Sequence, residues 1–257
     1  MRELRWIFGQ SPEAYERYRP VYPPELFAVV LEYASVKADR RALEIGAGTG
    51  QATLPFLQAG CRVDALEPAP GLASILAEKN KRFSGFNLLP FTFEEISESG
   101  SLYDLIFSAS AFHWLPKQEA YAKCLRLLKP DGTLALFWNA TYPSDPRGQL
   151  FQEILSAYRR WAPEIKLKAQ EDPVRYMRKR NALLRYGFAQ AVNHVFRREK
   201  ELSTESYLGW LGTSSHHLSL SEPVRSCLET QLRYILSRHG KSIKVIDVTD
   251  LYLGRKD

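Results

Sequence analysis

Cysteine is scarce in this chain, and no two cysteines lie close together. Cys61, Cys124 and Cys227 are the only three, and none belongs to a C-x-x-C pair. That spacing argues against a disulfide framework or a cysteine-rich metal or redox motif. It favours reduced thiols and a cytoplasmic location. All three are expected to be small buried residues. No apolar run approaches the roughly 20 residues that cross a bilayer, so no membrane partner is expected. The opening MRELRWIFGQSPEAYERYRP is charged and aromatic, unlike a secretory leader. Repeats and low-complexity tracts are missing too. The adjacent pair His216-His217 has no Cys or acid at ligand spacing, and no metal site is expected.

What is present is an ordinary globular composition, 45% hydrophobic and 25% charged over 257 residues. The net charge of +6 is uneven: residues 159–200 hold 12 Lys/Arg against 4 Asp/Glu, a local excess of 8. Such a segment suits a solvated helix face, an anionic substrate or RNA.

Patterning places short apolar strands at RALEI (41–45), CRVDALE (61–67), FNLLPF (86–91), YDLIFS (103–108) and TLALFW (133–138). Helical segments separate them: QATLPFLQAG, closed by Gly60; the stretch around Leu72, Ile75 and Leu76; and the stripe Tyr121, Cys124, Leu125, Leu128 after Pro116. LKPDGT reads as a turn. Alternation of this kind predicts α/β architecture, a doubly wound and mainly parallel sheet. Further on, 191–202 reads as a strand. Ser221 is placed to cap a helix with the stripe Cys227, Leu228, Leu232, Ile235, Leu236, ending at Gly240, and SIKVIDVTDLYLGRK reads as a final strand. No linker divides the chain, so 1–257 reads as a single domain. Its expected parts are an N-terminal helical cap (1–40), a cofactor-binding core (41–138), a helical lid (139–187) and C-terminal strands and helix (188–257).

The chemistry concentrates at LEIGAGTGQ. Its glycines, Gly46, Gly48 and Gly50, follow the first strand, where ligands bind in doubly wound sheets. Glycine permits positive φ and close approach of backbone to a ligand. Glu67 ends the next strand 17 residues after Gly50, a position from which a carboxylate accepts bonds from ribose hydroxyls. Together they predict an adenosine-containing cofactor. The G-x-G-x-G spacing differs from the dinucleotide pattern G-x-G-x-x-G, which disfavours a nicotinamide oxidoreductase.

With Glu44 two residues ahead of the first glycine, the loop resembles the first motif of the class I S-adenosylmethionine-dependent methyltransferases, E/D-x-G-x-G-x-G. YDLIFSASAFHWL, LRLLKPDGTLALFWN and the closing LYLGRK are similar to later segments of that family. YERYRPVYP, AFHW and FWN together resemble its trans-aconitate methyltransferase-like subgroup, of methyltransferase type 11. The resemblance implies a seven-stranded Rossmann-like sheet, S-adenosylmethionine as cofactor and a small-molecule acceptor. It implies cofactor contacts from Glu44 (amino group), Gly46, Ala47, Gly48, Gly50, Glu67 (ribose), Pro68, Thr92 and Phe93 (adenine) and Ser108. Tyr15 and Arg19 would reach the methionine carboxylate, for which an arginine fork is well shaped.

An acceptor pocket is expected from Phe112, His113, Trp114, Trp138, Asn139 and Tyr142, with aromatic faces suited to a cationic sulfonium. His113 is the candidate general base for a phenol or amine; a carboxylate acceptor would need none. The loop SASAFHW lacks the Asn/Asp-Pro-Pro-aromatic motif of nucleobase amino-methyltransferases, and none of the three cysteines falls in the loop after the fourth strand. Nucleic acid is therefore disfavoured as a substrate. RNA binding or modification through the 159–200 segment, with RYMRKR (175–180) on phosphates, stands as the alternative, as does a catalytically silent cofactor-binding protein.

Overall fold

The computed structural model describes residues 12–35, 38–97 and 102–257. They form two compact units. One takes in the chain up to Pro20, Ala140–Asp172 and Arg197–Val248; the other takes in Val21–Asn139, Pro173–Phe196 and Thr249–Asp257.

Helices α1 (Pro12–Tyr18) and α2 (Pro24–Tyr33) come first. Then follow β1 (Arg41–Ile45), α3 (Thr53–Gln58), β2 (Arg62–Leu66), α4 (Pro70–Asn80), β3 (Phe86–Leu89), β4 (Tyr103–Ala109) and α5 (Lys117–Leu127). The second half carries β5 (Leu128–Pro143), α6 (Gln149–Trp161), α7 (Pro173–Arg185), β6 (Ala189–Ser203), α8 (Thr204–Gly212), α9 (Ser215–Leu218), α10 (Glu222–Arg238) and β7 (Ser242–Arg255). The seven strands form one sheet in the order β3-β2-β1-β4-β5-β7-β6. Pairings β1–β2, β1–β4, β2–β3 and β4–β5 are parallel, as the alternating pattern predicts. β7 is antiparallel to β5: Asp131 bonds Lys256 near one end of the pair, and Ser144 bonds Lys244 near the other.

In the unit containing β1 to β4, Leu43, Val63, Leu105 and Phe107 are completely buried. A strand covered on both faces must be apolar throughout, which is why these strands read as runs and not as alternations. Phe56 of α3 stacks at a tilt on Phe107, 4.3 Å between centroids. Each such side chain contributes about 1.5–3 kcal/mol by leaving water. The other unit has its own core, where Ile154 and Tyr158 of α6 meet Leu228, Leu232 and Ile235 of α10.

Gly60 ends α3 as expected. Its φ of 85° lets Cys61 N–H reach back to the Phe56 carbonyl at 3.0 Å. Gly240 does the same for α10, with φ 84° and Lys241 N–H on the Leu236 carbonyl at 2.9 Å. Three local expectations are corrected. Ser221 has the extended backbone of an N-cap, but its side chain makes no capping bond. Cys227 is exposed, while Cys61 and Cys124 are buried, because the buried stripe of α10 begins one residue later at Leu228. The stretch LKPDGT is already part of β5: Leu128 pairs with Tyr103, and the turn residue Asp131 (φ 60°) coincides with a register shift between Tyr103 and Leu105. Among the described residues, no helix is long and apolar enough to cross a membrane.

Candidate active site

Gly46, Gly48 and Gly50 all adopt positive φ, at 71°, 60° and 87°. Their loop is tied to the next strand by Ala47 N–H on the Leu66 carbonyl (2.8 Å), and it closes on itself by Gly50 N–H on the Ala47 carbonyl (3.0 Å). Two of the glycines answer to the protein as well as to any ligand. A Cβ on Gly46 would lie 2.5 Å from the Ala111 Cβ, and one on Gly50 would lie 2.7 Å from Leu76 Cδ1.

The two carboxylates differ. Glu67, at the end of β2, accepts Gly48 N–H at 2.8 Å on one oxygen and Ala69 N–H at 2.9 Å on the other. Burial raises its pKa, and the two N–H bonds, Ala69 before Gly48, oppose the rise without cancelling it. Glu44 is fully buried beneath the loop, where Thr53 donates to Oε2. Its Oε1 is buried with no hydrogen-bond partner. Burial pushes its pKa up to about 8; the Thr53 bond opposes this and the Glu67 charge adds to it.

The remaining cofactor candidates are placed as follows. Pro68 lies between Glu67 and Ala69 in the segment leading to α4. Thr92 opens a 3₁₀ turn, its hydroxyl and N–H both donating to the Glu95 carboxylate at 2.7 and 2.8 Å. Phe93 is buried, with the Lys123 ammonium 5.3 Å from its ring. The Ser108 hydroxyl is committed to the Ile45 carbonyl at 2.8 Å and has no exposure. Arg19 donates to the Thr213 carbonyl at 2.5 Å and lies over the Tyr15 ring; both belong to the other unit. Tyr142 also belongs there, lining a cavity of about 60 Å³ with Tyr207 and Trp210.

Of the six pocket candidates, the structure brings His113, Trp114 and Trp138 into contact. Phe112 is buried against Tyr121, with ring centroids 4.9 Å apart. His113 is exposed, its ring 4.5 Å from that of Trp114 and its Nδ1 receiving the Trp138 indole N–H at 3.2 Å. Asn139 accepts from the Thr249 hydroxyl at 2.6 Å. Ser110 was not singled out from the sequence. It sits at the end of β4 with φ 56°, and its hydroxyl lies 3.0 Å from the Tyr22 hydroxyl and 3.4 Å from Asn139 N. Only the run of small residues in SASAF hinted at a turn.

Four of the twelve cations of the basic segment pair with acids. Arg175 and Lys179 pair with buried Asp250, Arg197 with Glu171, and Lys200 with Asp247. Tyr176 is buried, so it is not available to stack on a base. His217 is also buried, its Nε2 2.6 Å from the Tyr158 hydroxyl; desolvation lowers its pKa to about 4. Among the described residues no group of three His, Cys, Asp or Glu could hold a metal ion.

The fold is that of the Rossmann-like α/β methyltransferases, and the comparisons agree. Residues 43–134 match the family model described as a methyltransferase domain. The chain is 35% identical over 138 residues to an uncharacterised methyltransferase of Mycobacterium tuberculosis, covering 54% of each protein. It therefore spans about half the length of that relative. A candidate methyltransferase of Dictyostelium discoideum is 25% identical over 255 residues, covering 94% of this chain and 90% of that protein. Among solved structures, a candidate type II methyltransferase from Anaeromyxobacter dehalogenans superposes with a TM-score of 0.65 at 20% identity, covering 93% of this chain and 98% of that one. A Haemonchus contortus phosphoethanolamine N-methyltransferase, in complex with phosphomonomethylethanolamine and S-adenosylhomocysteine, gives 0.56 at 14% identity over 96% and 57%.

The residues present fit S-adenosylmethionine. Each Glu67 oxygen accepts one backbone N–H and keeps a second lone pair for a ribose hydroxyl. Glu44 Oε1, buried with no hydrogen-bond partner, is an acceptor that the cofactor's amino group would fill.

Proposed function

We propose that this chain is an S-adenosylmethionine-dependent methyltransferase acting on a small-molecule acceptor, with a carboxylate as the favoured class. The observation that carries the reading is the Glu67–Gly48 pair, which holds a ribose-binding acid against a loop of three left-handed glycines. The match of residues 43–134 to a methyltransferase domain supports it.

The cofactor supplies an electrophilic methyl group on a sulfonium. The chain's own residues bind and align. Glu67 orients the ribose, and the N–H-tied loop fixes the depth of the site. His113, Trp114 and Asn139 border the acceptor. In-line displacement rewards alignment, which by itself supplies a large share of the barrier reduction. A carboxylate is ionised at neutral pH and needs no base. The resemblance to the trans-aconitate-like subgroup supports that acceptor class; the basic segment supports it less, since four of its cations already pair with acids. The reading of 1–257 as one domain, with 1–40 as cap and 139–187 as lid, belongs to the same proposal, as do Tyr15, Arg19 and Tyr142 as ligand contacts.

The test is thermal unfolding with S-adenosylmethionine, S-adenosylhomocysteine or NADH. A ligand at 100 times its Kd stabilises the folded state by about 2.7 kcal/mol. The first two should raise Tm and NADH should not. A shift with NADH alone would sink the assignment.

A further inference from the structure

Lys179 of α7 holds an uncommon place. Its ammonium lies 3.4 Å from the centroid of the Trp138 ring and 5.0 Å from that of Tyr252. The same ammonium donates to Asp250 Oδ2 at 3.0 Å, an oxygen that also accepts from Arg175 Nη2 and from the Tyr252 hydroxyl, each at 2.9 Å. Asp250 is 1% exposed, so this anchor is out of water and electrostatically strong. A lysine stem is flexible and ordinarily loses rotamer entropy when pinned. Here a buried carboxylate and two aromatic faces fix it.

From the edge of the Trp138 ring, the indole N–H donates to His113 Nδ1. Indole nitrogen is a donor only, so Nδ1 is the acceptor and neutral His113 carries its proton on Nε2. Indole orientation therefore selects the imidazole tautomer, and Lys179 bears on the indole.

We propose that Lys179 is a positioning residue: clamped by Asp250 on the face of Trp138, it aims the indole N–H at His113 and sets His113 as an Nε2–H hydrogen-bond donor. His113 then meets the acceptor as an orienting group and not as a proton acceptor at Nδ1. Only this last clause rests on the methyltransferase reading. The network also means that one face of Trp138 is taken by a lysine and is closed to a sulfonium.

The test is NMR on the full ¹⁵N-labelled chain with no cofactor added, so its outcome is independent of cofactor binding, which is titrated separately. In the wild type, the Trp138 indole proton should be shifted downfield by its bond, and His113 should show a pyridine-like Nδ1 and a pyrrole-like Nε2. H113A should move the indole proton upfield. K179M should move it the same way and draw the two His113 nitrogen signals together as the tautomers mix; K179R should restore both. W138F, which keeps a ring under Lys179 but lacks the donor, should mix the tautomers as well. An indole signal and tautomer unchanged in K179M would overturn the role of Lys179. An indole signal unmoved in H113A, or a tautomer unmoved in W138F, would overturn the hydrogen bond on which it depends.

Discussion

Gly48 N–H donates to Glu67 Oε2 at 2.8 Å, joining the loop after β1 to the end of β2. One carboxylate thus holds the loop and faces the proposed ribose. Glu67→Ala removes the acceptor for the Gly48 and Ala69 N–H groups and for the ribose diol. Hydrogen bonds to a charged group are worth roughly 1.5–3 kcal/mol each, so S-adenosylhomocysteine should bind at least about tenfold more weakly by calorimetry. Glu67→Gln, which keeps one acceptor oxygen, should fall between. Unchanged affinity in a folded Glu67→Ala protein would refute the assigned role.

Gly46→Ala should destabilise the fold whether or not ligand is present. The substitution meets both a φ of 71° and an Ala111 Cβ only 2.5 Å from the new methyl. A residue forced into such a region costs about 1–3 kcal/mol, to which the clash adds. Urea unfolding without cofactor should show a loss of at least about 1 kcal/mol. A variant that is fully stable but binds ligand weakly would mean that the glycine serves the ligand alone.

Glu44 makes stability fall as pH rises. Its folded pKa is raised from 4.5 to about 8. Between those values the unfolded chain has released a proton that the folded chain still holds, so the slope of unfolding free energy with pH is negative. It reaches at most about 1.4 kcal/mol per pH unit. Below 4.5 the contribution is fully present, and above about 8 it is fully lost. His217, with its pKa lowered to about 4, gives the opposite slope between 6.5 and about 4. The difference between wild type and Glu44→Gln isolates the first effect. Parallel stability curves for the two proteins from pH 5 to 8 would count against a protonated Glu44.

For a carboxylate acceptor, kcat should be flat between about pH 6 and 8, because no group of histidine-like pKa need lose a proton. His113→Ala should lower turnover only modestly. A rate that climbs with pH through about 6.5, with the limb abolished in that variant, would make His113 the base for a phenol or amine instead.

The strands of the core were legible because parallel strands buried on both faces must be apolar runs. RALEI coincides with β1 to the residue, and CRVDALE exceeds β2 by one residue at each end. The glycine loop was legible because its conformation demands glycine. What failed was local or long-range. A capping serine in the right backbone shape can leave its hydroxyl unused, as Ser221 does. The apolar stripe of a helix can begin one residue off, as at Cys227 and Leu228. The Lys179–Trp138 contact joins residues that no spacing rule connects, and RYMRKR looks like a cationic surface patch until Asp250 is seen beneath it. Met1 to Ser11 of the expected N-terminal cap, together with residues 36–37, lie outside the described residues.

Ser110 sets a limit on how this sequence can drift. Glycine there would relieve the left-handed backbone but delete the hydroxyl that meets Tyr22. Alanine would keep the strain and lose the contact as well. Asparagine, the side chain best tolerated at positive φ after glycine, offers polar atoms but is longer than serine. The end of β4 is thus a site where conformational ease and anchoring pull toward different residues, and serine is the compromise that keeps the anchor. A library randomised at this position should return serine first and asparagine next, with glycine enriched only when Tyr22 is replaced by phenylalanine.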